Sequence, residues 1–231
     1  MTEPLFHHDS YRKQAHAVVT GHTPEGGIVV DKALFHPQGG GQPGDSGDLS
    51  WDGGALVIAT AIKGPSNTEI LIPGSAGVLP AVGTTVLQTL DWDRRYRHMR
   101  LHTALHLLCV AVPFPVRASA IGQSEGWVEF KMPKSTIDPT KLHDSLNQFV
   151  AMDLPVRQSW VDAEQSPDRR NTRIIHIGEG DHEINQQPCE GTHVAQTSEI
   201  GKLSVGKIEN NGPEIRRITI QIEHNAPVHD A

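Results

Sequence analysis

Two short stretches concentrate the residues able to do chemistry, HTALHLL (102–108) and PCEGTH (188–193). His102 and His106 lie four apart on a segment of helical period, which puts both imidazoles on one face. Cys189 and His193 are also four apart, in a loop that contains Gly191. For the histidines the spacing alone is weak, since 14 of them in 231 residues give roughly one HxxxH pair by chance. His98 indeed extends the same ladder one turn earlier. The second pair is more selective, because the chain has only two cysteines, Cys109 and Cys189. Three imidazole nitrogens and one thiolate form a tetrahedral donor set that suits zinc. The bland alternative is a set of ordinary core and turn residues.

Such pairs need elements to bring them together. The first 90 residues read as short strands: QAHAVVTGH, GGIVVDKALFHP, ALVIATAIKG, TEILIP and TTVLQTLD alternate or carry β-branched residues, with Gly, Pro and Asn clusters between them. They imply a small antiparallel barrel. At Asp91 the period changes. DWDRRYRHMRLHTALHLLCVAVP offers Asp91 or Asp93 as N-cap, an amphipathic stripe through Trp92, Tyr96, Met99 and Leu105–Cys109, and Pro113 as the stop. Strands are expected around Val116–Ile121 and Trp127–Met132, then a helix from Asp138 with Pro139 at its first position. PVRQSWVDAE, RIIHI, GKLSVGKIEN and EIRRITIQIE read as further strands, the last two joined across Asn210-Asn211-Gly212. The expected fold class is α+β. An N-terminal small antiparallel β-barrel (1–90) precedes a domain (91–231) with an antiparallel sheet and helices on one face.

Composition sets outer bounds. With 37% hydrophobic and 20% charged residues the chain reads as soluble and globular. The start, MTEPLFHHDSYRKQ, lacks the apolar core of a signal peptide, and no apolar run is long enough to span a membrane. Free thiols and a cytoplasmic location follow. Net charge is −7, awkward for a nucleic-acid binder. Residues 1–93 carry 4 Lys/Arg against 10 Asp/Glu, while 94–231 carry 16 against 17. The cations of the second part cluster in DRRYRHMR (93–100), PDRRNTR (167–173) and EIRRITI (214–220), which is also how a solvated face looks.

HTALHLL, followed some eighty residues later by CEGTHVAQTSEIG and KLSVGKIENNGPEIRRITI, resembles the editing domain of alanyl-tRNA synthetases and its free-standing AlaX-type relatives. ALFHPQGGGQPGDSGDL resembles the Gly-rich segment of that family's barrel, and the barrel without a long C-terminal extension is similar to the medium-length class. The resemblance implies a zinc-dependent aminoacyl-tRNA deacylase. It would hydrolyse tRNA(Ala) mischarged chiefly with serine, with glycine as the second candidate, and would have no aminoacylation domain. It implies zinc on His102, His106, Cys189 and His193, with His98 a bystander. It places the Gly39-Gly40-Gly41 loop near the substrate, with Gln42 following and Gln123 a loose match to a family glutamine. Thr103 and Leu105 flank the ligand-bearing face as pocket candidates, with simple packing as the alternative. Arg94, Arg95, Arg97 and Arg100 are the candidate tRNA phosphate contacts. The family commonly has CGGTH; if that second residue has φ > 0, Glu190 costs about 1 kcal/mol of strain here.

Four protein ligands make a closed site, normally structural, so zinc either expands its coordination, loses a ligand or mainly orients the substrate. Two other readings stay open: a zinc-dependent hydrolase of a small ester or amide without tRNA, and a non-catalytic zinc-stabilised binding module. The residues do not indicate an oligomeric state.

Overall fold

Alternation along Gln14–His22 turns Ala17 and Val19 inward and His16, Val18 and Thr20 to solvent, Thr85–Leu90 alternates likewise, and four more strands complete a closed ring. The computed structural model describes residues 2–65, 68–132, 137–164 and 171–223. Around the barrel the strands run Gln14–His22, Ile28–Val30, Glu69–Pro73, Gly54–Lys63, Gly47–Trp51 and Thr85–Leu90, every neighbour antiparallel. Closure leaves no open edge. Val19, Ile28, Leu34, Leu49, Ile58 and Leu71 fill the interior, each at most 1% exposed. The strand Gly47–Trp51 and the short helix Leu5–His8 are among the elements that escape the sequence pattern.

The helix Trp92–Ala111 is capped by Asp91, whose Oδ1 accepts from the Arg94 amide at 3.1 Å. Asp93 lies inside its first turn. The amphipathic reading fails for most of its length. Met99, Leu101, Thr103, Ala104, Leu107 and Leu108 are all 0% exposed, so the helix is buried on every side. Its histidines and Thr103 therefore sit in an interior, where polar groups must find partners. Asp138 caps the helix Pro139–Ala151 through the amides of Thr140 and Lys141 (3.0 and 3.2 Å).

The expected single sheet of the second part is two antiparallel sheets. One has the order Leu203–Asn210, Ile215–Ile222, Glu125–Lys131, Val116–Ile121; the other joins Val156–Val161, Thr172–Ile177 and Asn185–Pro188. By contacts the chain divides into two compact units, Met1–Met99 with Glu190–Thr192, and Arg100–Cys189 with His193–Ala231. Among the described residues no helix is long and apolar enough to cross a membrane.

Candidate metal centre

His102 and His106 occupy successive turns of the buried helix, each 6% exposed. The other two candidates arrive by strand pairing. Asn185–Pro188 runs antiparallel to Thr172–Ile177, and Cys189 continues that pairing, its amide donating to the Arg173 carbonyl at 3.0 Å. Arg173, 2% exposed, returns Nη1 to the Cys189 carbonyl at 3.1 Å. Four residues on, the chain presents His193.

The donor atoms of His102, His106, Cys189 and His193 all lie within 4.8 Å of one another. Cys189 Sγ is 3.4 Å from Nε2 of His102 and 3.4 Å from Nε2 of His193. A tetrahedron with Zn–N near 2.0–2.1 Å and Zn–S near 2.3 Å sets nitrogen and sulfur about 3.5 Å apart. The spacing therefore fits a single ion. One thiol proton could serve only one of the two nitrogens facing the sulfur, whereas a shared cation serves both. Burial, followed by the charge of Arg173, pulls the His102 pKa down to about 4, so its ring is neutral at pH 7 and keeps a lone pair for a metal. The other cysteine is different: burial pushes the Cys109 thiol up to about 11.

The rings are held from behind. His193 Nδ1 lies 3.2 Å from Thr103 Oγ1, which also accepts from the Val194 amide at 3.3 Å. His106 Nδ1 lies 3.1 Å from Asn185 Oδ1. With Nε2 of His193 turned to the sulfur, its Nδ1 carries the proton and donates, which fixes tautomer and ring orientation. Nothing in the sequence pattern marks Asn185 or Arg173 for these roles. Thr103, expected as a pocket wall, stands behind His193. Thr103→Val, of nearly equal volume, should weaken metal affinity about 10–100-fold in a chelator competition, and Thr103→Ser should restore much of it. Equal affinity in the valine variant would reduce Thr103 to packing.

Residues 172–219 match the family model described as the threonyl and alanyl tRNA synthetase second additional domain. The alanyl-tRNA editing protein AlaX-M of Methanosarcina acetivorans is 28% identical over 240 residues, covering 94% of this chain and 98% of that protein. AlaX-M of Methanosarcina barkeri is 30% identical over 242 residues, again with 94% and 98% coverage. The chain belongs to the AlaX-M family of alanyl-tRNA editing proteins. The alanine–tRNA ligase of Pyrobaculum neutrophilum is 30% identical over an alignment of 233 positions that covers 90% of this AlaX-M family chain and 25% of the ligase.

The remaining candidates fall into distinct places in this AlaX-M family fold. Gly39 and Gln42 exchange two backbone hydrogen bonds of 3.0 Å around Gly40 (φ 58°) and Gly41 (φ 80°). That is a tight turn with two left-handed positions, which explains the glycines. Gln42, 1% exposed, is not free to reach outward: Nε2 donates to Thr192 Oγ1 at 2.9 Å, and Oε1 accepts from the Thr192 amide at 3.0 Å. Leu105 packs on Gly126, where an added Cβ would come within 3.2 Å of it. Gln123 stands exposed on the hairpin closed by Gly122 and Glu125. Glu190 carries no strain, because among described non-glycine residues only Asp153 has positive φ. Its carbonyl and carboxylate lie 3.0 and 3.3 Å from His7 Nε2.

One of the four arginines is corrected. Arg95 is 0% exposed and bound to Asp45, Ser10 and Leu34, so it cannot meet a phosphate. Arg100 is half-buried and donates Nε and Nη2 to the Ile200 carbonyl (2.9 and 2.6 Å). Among the described residues Arg94 donates Nε and Nη2 to the neutral Gly44 carbonyl, and both Arg94 and Arg97 are half-buried. The other clusters are also drawn inward. Arg173 and Arg216 are buried, and Arg217 pairs with Glu129 and lies over Trp127. Arg169 and Arg170 lie outside the described residues.

Proposed function

We propose that the chain removes wrong amino acids from tRNA(Ala), hydrolysing the ester of serine chiefly and of glycine also, at a zinc ion held by His102, His106, Cys189 and His193. The observation that carries this is the convergence of those four donors in a chain aligned nearly end to end with alanyl-tRNA editing proteins. The need for such an activity is physical. A site built for alanine cannot exclude the smaller glycine by size, and it rejects a near-isostere bearing one hydroxyl only weakly. A separate hydrolytic site corrects both errors.

When bound, zinc supplies Lewis acidity toward the ester or water. The chain does the rest. Buried His102 presents a neutral nitrogen, Thr103 and Asn185 orient His193 and His106, and Arg173 holds the Cys189 carbonyl. Gln42 grips Thr192 within one compact unit, and in this reading residues 1–90 are the barrel domain and 91–231 the editing domain. The reaction consumes aminoacyl-tRNA and needs no ATP, and the same reading assigns it to the cytoplasm. Comparing Ser-tRNA(Ala) with serine methyl ester tests the tRNA link. A far higher kcat/KM on the tRNA supports editing, whereas equal values would favour a general zinc esterase.

Binding of tRNA should draw on Arg94 and Arg97, neighbours at i, i+3 on the helix. At roughly 0.7–0.9 units of log K per log salt for each contact, the pair accounts for a slope of about −1.4 to −1.8. Replacing both with alanine should flatten the slope by roughly that amount, with metal content unchanged. A double variant with wild-type affinity and slope would assign these arginines to a solvated face.

A further inference from the structure

The three-stranded sheet carries a second constellation that editing does not use. Arg157 pairs with His176 and Ser159 with Ile174 across two antiparallel strands, so Arg157, Ser159 and His176 share one sheet face. Ser159 Oγ lies 2.8 Å from His176 Nε2, and His176 Nδ1 lies 3.0 Å from Glu183 Oε2. An ionised carboxylate only accepts, so Glu183 keeps the proton on Nδ1. Nε2 is then the acceptor, and the serine hydroxyl donates to it. Nucleophile, base and orienting carboxylate thus stand in the order that activates a serine.

Local structure fixes this order. Gly178 has φ 97°, and an added Cβ would lie 2.1 Å from the His182 carbonyl oxygen, so glycine lets the chain fold back to present Glu183. Arg157 Nη2 donates to the Gly178 carbonyl at 3.0 Å, and its Nη1 pairs with Glu179 at 3.6 Å, bracing the same turn. Ser159 is exposed, while the His176 and Glu183 side chains are 17% and 29% exposed. Glu179 and His182 of this turn also line a groove of about 370 Å³ with Met152, Leu154 and Pro155.

We propose that Ser159, His176 and Glu183 form a metal-independent nucleophilic site that accepts the acyl group of small activated carboxylic esters. Ser159 Oγ bonds to the ester carbonyl carbon as its proton passes to His176 Nε2. The carbon–oxygen bond to the leaving group then breaks, and that group departs with the proton from His176. Water, deprotonated by His176, cleaves acyl-Ser159 to the carboxylic acid and restores the hydroxyl. Glu183 is a positioning residue.

The zinc-loaded protein should release p-nitrophenol from p-nitrophenyl butyrate and take one fluorophosphonate label, mapped by mass spectrometry to Ser159. Ser159→Ala should abolish the label, and His176→Gln should slow it at least ~100-fold. Glu183→Ala should slow it less, with partial recovery in Glu183→Asp. Cys189→Ala should label normally, so failure here is separable from failure of the editing reading. A label elsewhere, no label, or a His176→Gln variant labelled at the wild-type rate would overturn the proposal.

Discussion

Replacing Cys189 with alanine should strip the protein of most of its metal and lower Ser-tRNA(Ala) deacylation at least ~100-fold. The sulfur is the sole anionic member of the four, and it lies 3.4 Å from two of the three imidazole nitrogens. Losing it leaves three neutral rings whose affinity for a divalent ion lacks the thiolate bond. The contrast that gives the result meaning is His98→Ala. His98 has the same four-residue spacing to His102, but it stands outside the donor group. Burial draws its pKa down to about 4, and its Nδ1 has no hydrogen-bond partner among the described residues. Metal occupancy should survive its removal. Elemental analysis of both variants separates the two registers, and equal loss would move the metal one turn along the helix.

Arg95→Ala should cost about 3–5 kcal/mol, because it leaves Asp45 charged and unpaired in a dry interior. The two side chains are 0% and 1% exposed, Arg95 Nε donates to Asp45 Oδ2 at 2.9 Å, and that oxygen also accepts from the His36 amide at 2.6 Å. The melting midpoint of the barrel unit should fall by roughly 10–40 °C. Reduced tRNA affinity would accompany that loss of fold, and the salt slope of the remaining folded protein should match wild type. A stable Arg95→Ala protein with a flatter slope would restore Arg95 to the phosphate surface.

How far the sequence could be read depended on what each residue type signals locally. The strand Gln14–His22 announces itself by alternation, and the helix Pro139–Ala151 by an Asp-Pro start, since both signals lie within a few residues of the element they define. Asn185–Pro188 reads NQQP, with no apolar alternation to mark it; it is a strand because Thr172–Ile177 supplies a register for it. The two donor pairs stand out because cysteine is rare and a four-residue spacing is local. Asn185 and Arg173 do not, since their roles depend on contacts 79 and 16 residues away. The arginine run shows the same limit from the other side. A basic cluster reads as surface, and only a carboxylate 50 residues distant, Asp45, takes Arg95 into the interior.

The decisive measurement is the initial rate of deacylation of Ser-tRNA(Ala) beside Ala-tRNA(Ala), taken on purified, chelator-stripped and zinc-restored protein. The serine ester should be lost much faster than the alanine ester, the activity should vanish with the metal, and zinc alone should return it. Equal rates on the two esters, or a rate indifferent to stripping, would contradict zinc-dependent editing at His102, His106, Cys189 and His193.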